Sequence, residues 1–207
     1  MIITPAILET DPEELKRKVS LIESGTDLLQ IDVGDGKFIP TVTVLPRALD
    51  DFRPLTAFEV HLMVQRPDRF IADWAHLGAT KAIFHIEAEG DVERFIAQCR
   101  DLDCDVGVAL NPGTSMEDVQ PYLDLVDEVM FMGVTPGAQG NPYNPEVEKA
   151  IAEFHQAFPA MPLAIDGGVT EKNLTTLHNL GVMRACVGSA LWMSANPIVT
   201  LEKLRLL

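Results

Sequence analysis

LLQIDVGDGKFIP, residues 28–40, reads as a core strand running into a turn, yet it holds a Gln and an Asp inside its apolar run. Side chains along a strand alternate between faces, so Leu29, Ile31 and Val33 point one way while Gln30, Asp32 and Gly34 point the other. One face suits a covering layer of helices. The other suits the interior of a parallel barrel, whose C-terminal rim is where such folds place polar working groups.

Seven further short apolar runs have the same form: IITPAIL before this stretch, and AFEVHLMV, KAIFHI, CDVGVAL, EVMFMGV, PLAIDGG and RACVGSA after it. Between most of them lie charged, amphipathic segments with helical spacing: DPEELKRKVSLIES, RPDRFIADWAHLG, DVERFIAQCRDLD, SMEDVQPYLDLV, NPEVEKAIAEFHQAF and TEKNLTTLHNLG. Asp11, Ser115 and Thr170 stand where a short oxygen-bearing side chain caps a helix start, and Gly25, Gly78 and Gly181 stand at helix ends. The second connection, TVTVLPRALDDFRP, carries the weakest helical pattern. Eight repeated βα units predict an α/β fold of the (β/α)8 TIM-barrel type, filling residues 1–207 as one domain, with an open doubly wound sheet as the alternative. No linker, low-complexity tract or internal repeat divides the chain.

The 207 residues include 47% hydrophobic side chains, enough to bury a sizeable core. Sixteen basic residues against 31 acidic give a net charge of −15, which disfavours nucleic acid and anionic membranes as partners. A small phosphate still binds where backbone N–H groups converge, whatever the global charge. Cys99, Cys104 and Cys186 form neither a disulfide framework nor a metal-binding spacing and read as buried thiols in a reducing compartment. The N-terminal MIITPAILETDPEELKRK lacks the pattern of a secretory signal, and CVGSALWMSANPIVTL is too interrupted to span a membrane. The expectation is a cytoplasmic protein.

The inward face of the barrel strands collects polar groups. His61 and Met63 share a face of EVHLMV, His85 closes KAIFHI, Met130 and Met132 share a face, and Asp166 closes PLAID. A single buried His or Asp is ordinarily a hydrogen-bonded structural group. Asp32, His61 and Asp166 at the ends of three strands instead converge as a mixed O/N set suited to a divalent ion such as Zn²⁺, Mn²⁺, Fe²⁺ or Mg²⁺. Two carboxylates around such a centre suit proton abstraction next to a carbonyl. The Gly-rich turns after the last two strands offer Gly167, Gly168, Gly188 and Ser189 to a phosphate. TPGAQGNPYNP, residues 135–145, reads either as a lid over a substrate or as a surface turn.

These stretches resemble the ribulose-phosphate 3-epimerase family over nearly the whole chain. PAIL, QIDVGDGKFIP, EVHLMV, HIEA, GVALNPGT, MGVTPGAQG, IDGGV and VGSAL carry the resemblance in order and spacing. It implies interconversion of ribulose 5-phosphate and xylulose 5-phosphate by moving a proton at carbon 3, with a divalent metal and two aspartates. Residue by residue, Asp32 and Asp166 match the acid/base pair that also ligates metal, and His61 matches a metal ligand. Met63, His85 and Met132 match residues around the substrate, with Gly137 and Gly140 in the substrate loop. Gly167, Gly168, Gly188 and Ser189 match the phosphate-binding segments. A homo-oligomer is implied as well.

The sequence departs from the family pattern near the site. Gln30 stands where an HIDVMDG-type motif has a metal-binding His, Gly34 where it has Met, and Ala6 where PSIL has a substrate-contacting Ser. Thr135, Ala138, Gln139 and Asn141 alter the NPGFGGQ loop. The departures admit a second reading, a phosphosugar-binding protein without catalysis. A third, a phosphate-binding decarboxylase barrel, is opposed by the spacing of Asp32, Asp35 and Lys37, which does not form a DxKxxD motif.

Overall fold

A computed structural model describes residues 1–137 and 140–207. Eight parallel strands close into a barrel in sequence order. They are β1 (Ile2–Leu8), β2 (Leu28–Gly34), β3 (Ala57–Met63), β4 (Lys81–His85), β5 (Asp105–Leu110), β6 (Glu128–Met132), β7 (Leu163–Asp166) and β8 (Arg184–Val187). β8 returns to pair with β1, so no sheet edge remains open. The open-sheet alternative is thereby removed. Among the described residues no helix is long and apolar enough to cross a membrane.

The outer helices are α1 (Pro12–Ile22), α2 (Ile71–Leu77), α3 (Val92–Asp101), α4 (Met116–Val119), α5 (Glu146–Ala157), α6 (Leu174–Asn179), α7 (Ser189–Trp192) and α8 (Pro197–Arg205). Local chemistry sets their ends. Asp11 accepts from the Glu13 N–H at 2.9 Å with Pro12 in the first turn, Ser115 accepts from the Glu117 N–H at 3.2 Å, and Gly78 closes α2 at φ 109°. Thr170 instead lies before a turn, and α6 starts only at Leu174. The segment SMEDVQPYLDLV gives a single α-turn, because Pro121 diverts the chain into a 3₁₀ turn. Asn196 caps α8 by accepting from the Ile198 and Val199 N–H groups.

No helix forms between β2 and β3. The β-branched Thr41, Val42, Thr43 and Val44 run extended, with Asp35 and Val42 in an antiparallel bridge, and only the 3₁₀ turn Pro46–Ala48 follows. The returning segment lies so close to the end of β2 that a Cβ on Gly34 would sit 2.4 Å from the Thr41 carbonyl and 2.6 Å from Ile39 Cδ1. Gly34 is therefore the residue that lets this loop fold back onto the strand.

The principal core lies between strands and helices, where Trp74, Phe84, Phe95 and Phe154 are fully buried. Inside the barrel a separate, smaller apolar cluster holds Ala6, Ile83, Ala109, Met130, Met132, Ala164 and Cys186. Beneath it, at the N-terminal ends of the strands, the floor is ionic. Arg184 pairs with Glu128 through two nitrogens and with Glu59 through Nη1, while Lys81 Nζ lies 3.5 Å from Glu59 and 3.3 Å from Glu128. Two cations and two anions balance, which is what makes their burial tolerable.

Candidate active site

Strand register carries Asp32 and His61 to the same height on β2 and β3, and Asp166 arrives at the last position of β7. The three residues are buried, and one ligand atom from each lies within 4.8 Å of the others. His61 Nδ1 is 3.0 Å from Asp166 Oδ2 and 3.4 Å from Asp32 Oδ1. Neither contact is an in-line hydrogen bond, so this buried nitrogen faces the carboxylates without a directed partner. An orphaned imidazole nitrogen between two carboxylates fits a divalent cation, and Asp32, His61 and Asp166 could hold one.

Gln30 faces the same oxygens from below. Its Nε2 lies 2.8 Å from Asp32 Oδ1 and 2.8 Å from Asp166 Oδ2, so the amide donates one hydrogen to each carboxylate. Its Oε1 points away and accepts from Cys186. Gln30 thus turns a nitrogen, not a ligand oxygen, toward the position of a cation.

The charges follow from these neighbours. Burial raises the Asp32 carboxyl above the ordinary carboxylate range, the Asp166 charge adds to the rise, and His61 and Gln30 oppose it. Burial works against a charged His61, but the two carboxylates outweigh it and lift the imidazole to about 9. His85 is pushed down to about 4 by burial, with His61 adding to the depression. Its Nε2 stands 2.9 Å from His61 Nε2, so a neutral His85 accepts from His61, while its Nδ1 faces Glu87 at 3.3 Å without an in-line hydrogen bond.

A cleft opens above the pair. Asp32, Asp166, Ala6, Met63 and Met132 line it, as do Gly137, Gly140, Gly167, Gly168, Gly188 and Ser189. His85 is not brought to the cleft wall; it stands behind His61, with the Phe38 ring 4.7 Å away. Ala138 and Gln139 lie outside the described residues. The loop after β6 is fastened across the rim by Thr41 Oγ1, which donates to the Gly137 carbonyl at 2.7 Å. Asp35 is committed to its turn, accepting from the Lys37, Phe38 and Gln65 N–H groups.

Sequence reasoning did not single out Leu8, Val134, Pro136 and Val169, which complete the wall, or Glu87 behind His85. Glu59, Glu128 and Arg184 were overlooked too, although each occupies an inward position of its strand. The signal available was alternation, since Glu59 precedes His61 by two residues and Arg184 precedes Cys186 by two.

A closed parallel barrel with titratable groups at its C-terminal rim places this chain among the TIM-barrel enzymes. Its solved structural neighbours agree on the fold. KGPDC from Streptococcus mutans in complex with D-R5P superposes with TM-score 0.74 at 11% identity, covering 98% of this chain and 94% of that one. A 3-hexulose-6-phosphate synthase gives TM-score 0.71 at 16% identity over 100% and 99%.

The chain belongs to the ribulose-phosphate 3-epimerase family, whose sequence model matches residues 2–192. The ribulose-phosphate 3-epimerase of Synechocystis is 31% identical, over 95% of this chain and 89% of the relative. Ribulose-phosphate 3-epimerase 1 of Cupriavidus necator is 35% identical over 92% and 83%, and the Bacillus subtilis ribulose-phosphate 3-epimerase 29% over 98% and 97%.

Proposed function

We propose that this enzyme interconverts ribulose 5-phosphate and xylulose 5-phosphate, or a closely related ketose phosphate pair, by proton transfer at carbon 3. One observation carries the reading: Asp32 and Asp166 open into one cleft from two separate strands, held by a shared amide. A substrate carbon between them loses a proton to one carboxylate and regains it from the other, which inverts its configuration. Burial raises Asp32, so that it gives up a proton less readily than a solvated carboxyl.

Asp32, His61 and Asp166 would hold a divalent ion, which when bound supplies positive charge to stabilise the enediolate oxygen. The turn at Gly167 and Gly168 and the start of α7 at Gly188 and Ser189 line the same cleft and would receive the phosphate through their backbone N–H groups. Met63 and Met132 would pack on the sugar chain, with Gly137 and Gly140 beside it at the rim. A homo-oligomer in a reducing, cytoplasmic setting completes the reading, on the family resemblance and on three buried free thiols.

The test is solvent-deuterium exchange into ribulose 5-phosphate, followed by NMR with Zn²⁺, Mn²⁺, Fe²⁺, Mg²⁺ or chelator. Metal-dependent exchange with appearance of xylulose 5-phosphate is the expected result. Saturable binding with no deuterium uptake under any condition would leave a phosphosugar-binding protein instead.

A further inference from the structure

We propose that Cys186, backed by Arg184, is a positioning residue that decides which end of the Gln30 carboxamide faces the two aspartates. The inference rests on the epimerase reading for its catalytic consequence, and on geometry alone for its structural claim.

A carboxamide has two ends of nearly equal shape, so its orientation is set by partners rather than by packing. On the upper side Asp32 Oδ1 and Asp166 Oδ2, each 2.8 Å from Nε2, call for donors. On the lower side Gln30 Oε1 is 2.9 Å from Cys186 Sγ, which can supply a proton. That sulfur is in turn 3.1 Å from Arg184 Nη1, so the guanidinium donates to its lone pair and leaves the S–H for Gln30. Arg184 cannot turn away, because Glu128 holds its Nε and Nη2 and Glu59 its Nη1. One line of directed hydrogen bonds therefore runs from the barrel floor, through Cys186 and Gln30, to both acid/base groups.

The direction has a chemical consequence. With Nε2 upward, two amide hydrogens separate two carboxylates that would otherwise repel, and each is fixed in register with the cleft. With the amide reversed, Oε1 would meet two carboxylate oxygens, and the NH₂ group would meet a thiol already engaged by Arg184. Gln30, Cys186 and Arg184 are buried, so this part of the line lies away from the solvent that reaches the two aspartates in the cleft.

Full-length protein labelled with ¹⁵N-glutamine tests this directly, with Gln30→Met identifying the Gln30 side-chain signals. Cys186→Val removes the donor at similar volume, and Cys186→Ser keeps a donor. The wild type is expected to show two Gln30 amide protons shifted apart and protected from solvent exchange. In Cys186→Val they should move, exchange at least about tenfold faster, and accompany a roughly tenfold fall in kcat with little change in KM, matching the loss of one positioning hydrogen bond. Cys186→Ser should restore both readouts. Gln30 signals in Cys186→Val that coincide with the wild type would overturn the proposal, whatever the turnover. A wild type without proton exchange at carbon 3 would defeat the epimerase reading and leave the NMR comparison decisive by itself.

Discussion

His61 and His85 meet nitrogen to nitrogen, with Nε2 atoms 2.9 Å apart and rings 5.0 Å apart in a stacked pose. Only one proton fits between them. Burial keeps His85 neutral, so the proton belongs to His61, and His61 Nδ1 is left facing the two aspartates. His85→Phe removes this acceptor and lets the His61 ring turn. Divalent-cation affinity measured by calorimetry should then fall about 10–100-fold, the usual effect of losing a group that orients a ligand. An unchanged affinity would show that His61 is held by other means.

Asp166→Asn and Asp32→Asn each remove one of the two carboxylates proposed to carry the proton while keeping its shape. Proton exchange at carbon 3 should drop about 10²–10⁴-fold in either variant. Exchange at the wild-type rate in Asp166→Asn would remove that residue from the chemistry.

Arg184→Met leaves Glu59 and Glu128 facing only Lys81 in the barrel floor. Breaking a buried ion cluster from one side costs about 3–5 kcal/mol, to be read from the urea midpoint. Adding Glu59→Gln and Glu128→Gln to Arg184→Met should recover much of that loss. A single variant as stable as the wild type would mean that water reaches the floor.

Gly34→Ala places a methyl group against the Thr41 carbonyl and Ile39. Overpacking of this kind costs about 1–3 kcal/mol, visible as a lower Tm. No loss would require the β2–β3 connection to lie away from the strand end.

Burial pushes the Cys99 thiol up to about 12 and the Cys104 thiol to about 11. Thiolate is the reactive form, so native protein at pH 8 should be inert to a thiol-exchange reagent and release three equivalents only after unfolding. Rapid labelling of the native state would contradict the burial of all three.

The fold was legible because its signals are local and repeated. Each strand is short and apolar, and the long helices α1, α3 and α5 each have an amphipathic stripe. The β2–β3 connection escaped because its β-branched run is satisfied by hairpin-like bonds to Gly34 and Gly36, which depend on a loop folding back. Helix α8 escaped because its apolar residues do not gather into one stripe, although Asn196 and Pro197 form its start signal. In the site, Asp32, His61 and Asp166 could be read from alternation alone. The direction of the Gln30 amide could not, since it depends on a cysteine 156 residues away. His85 likewise reads as a wall residue, and only its distance to His61 places it behind that ring.

The ionic floor also limits how this sequence can change over evolutionary time. Glu59, Glu128, Lys81 and Arg184 balance as a set, and Arg184 also touches Cys186 below Gln30. A lineage that exchanges Gln30 for another side chain inherits a floor tailored to an amide, and a lineage that loses Arg184 strands two buried carboxylates. Substitutions at these positions are therefore expected to arise in groups, and a survey of natural relatives should find Gln30 travelling together with a donor at 186 and a cation at 184.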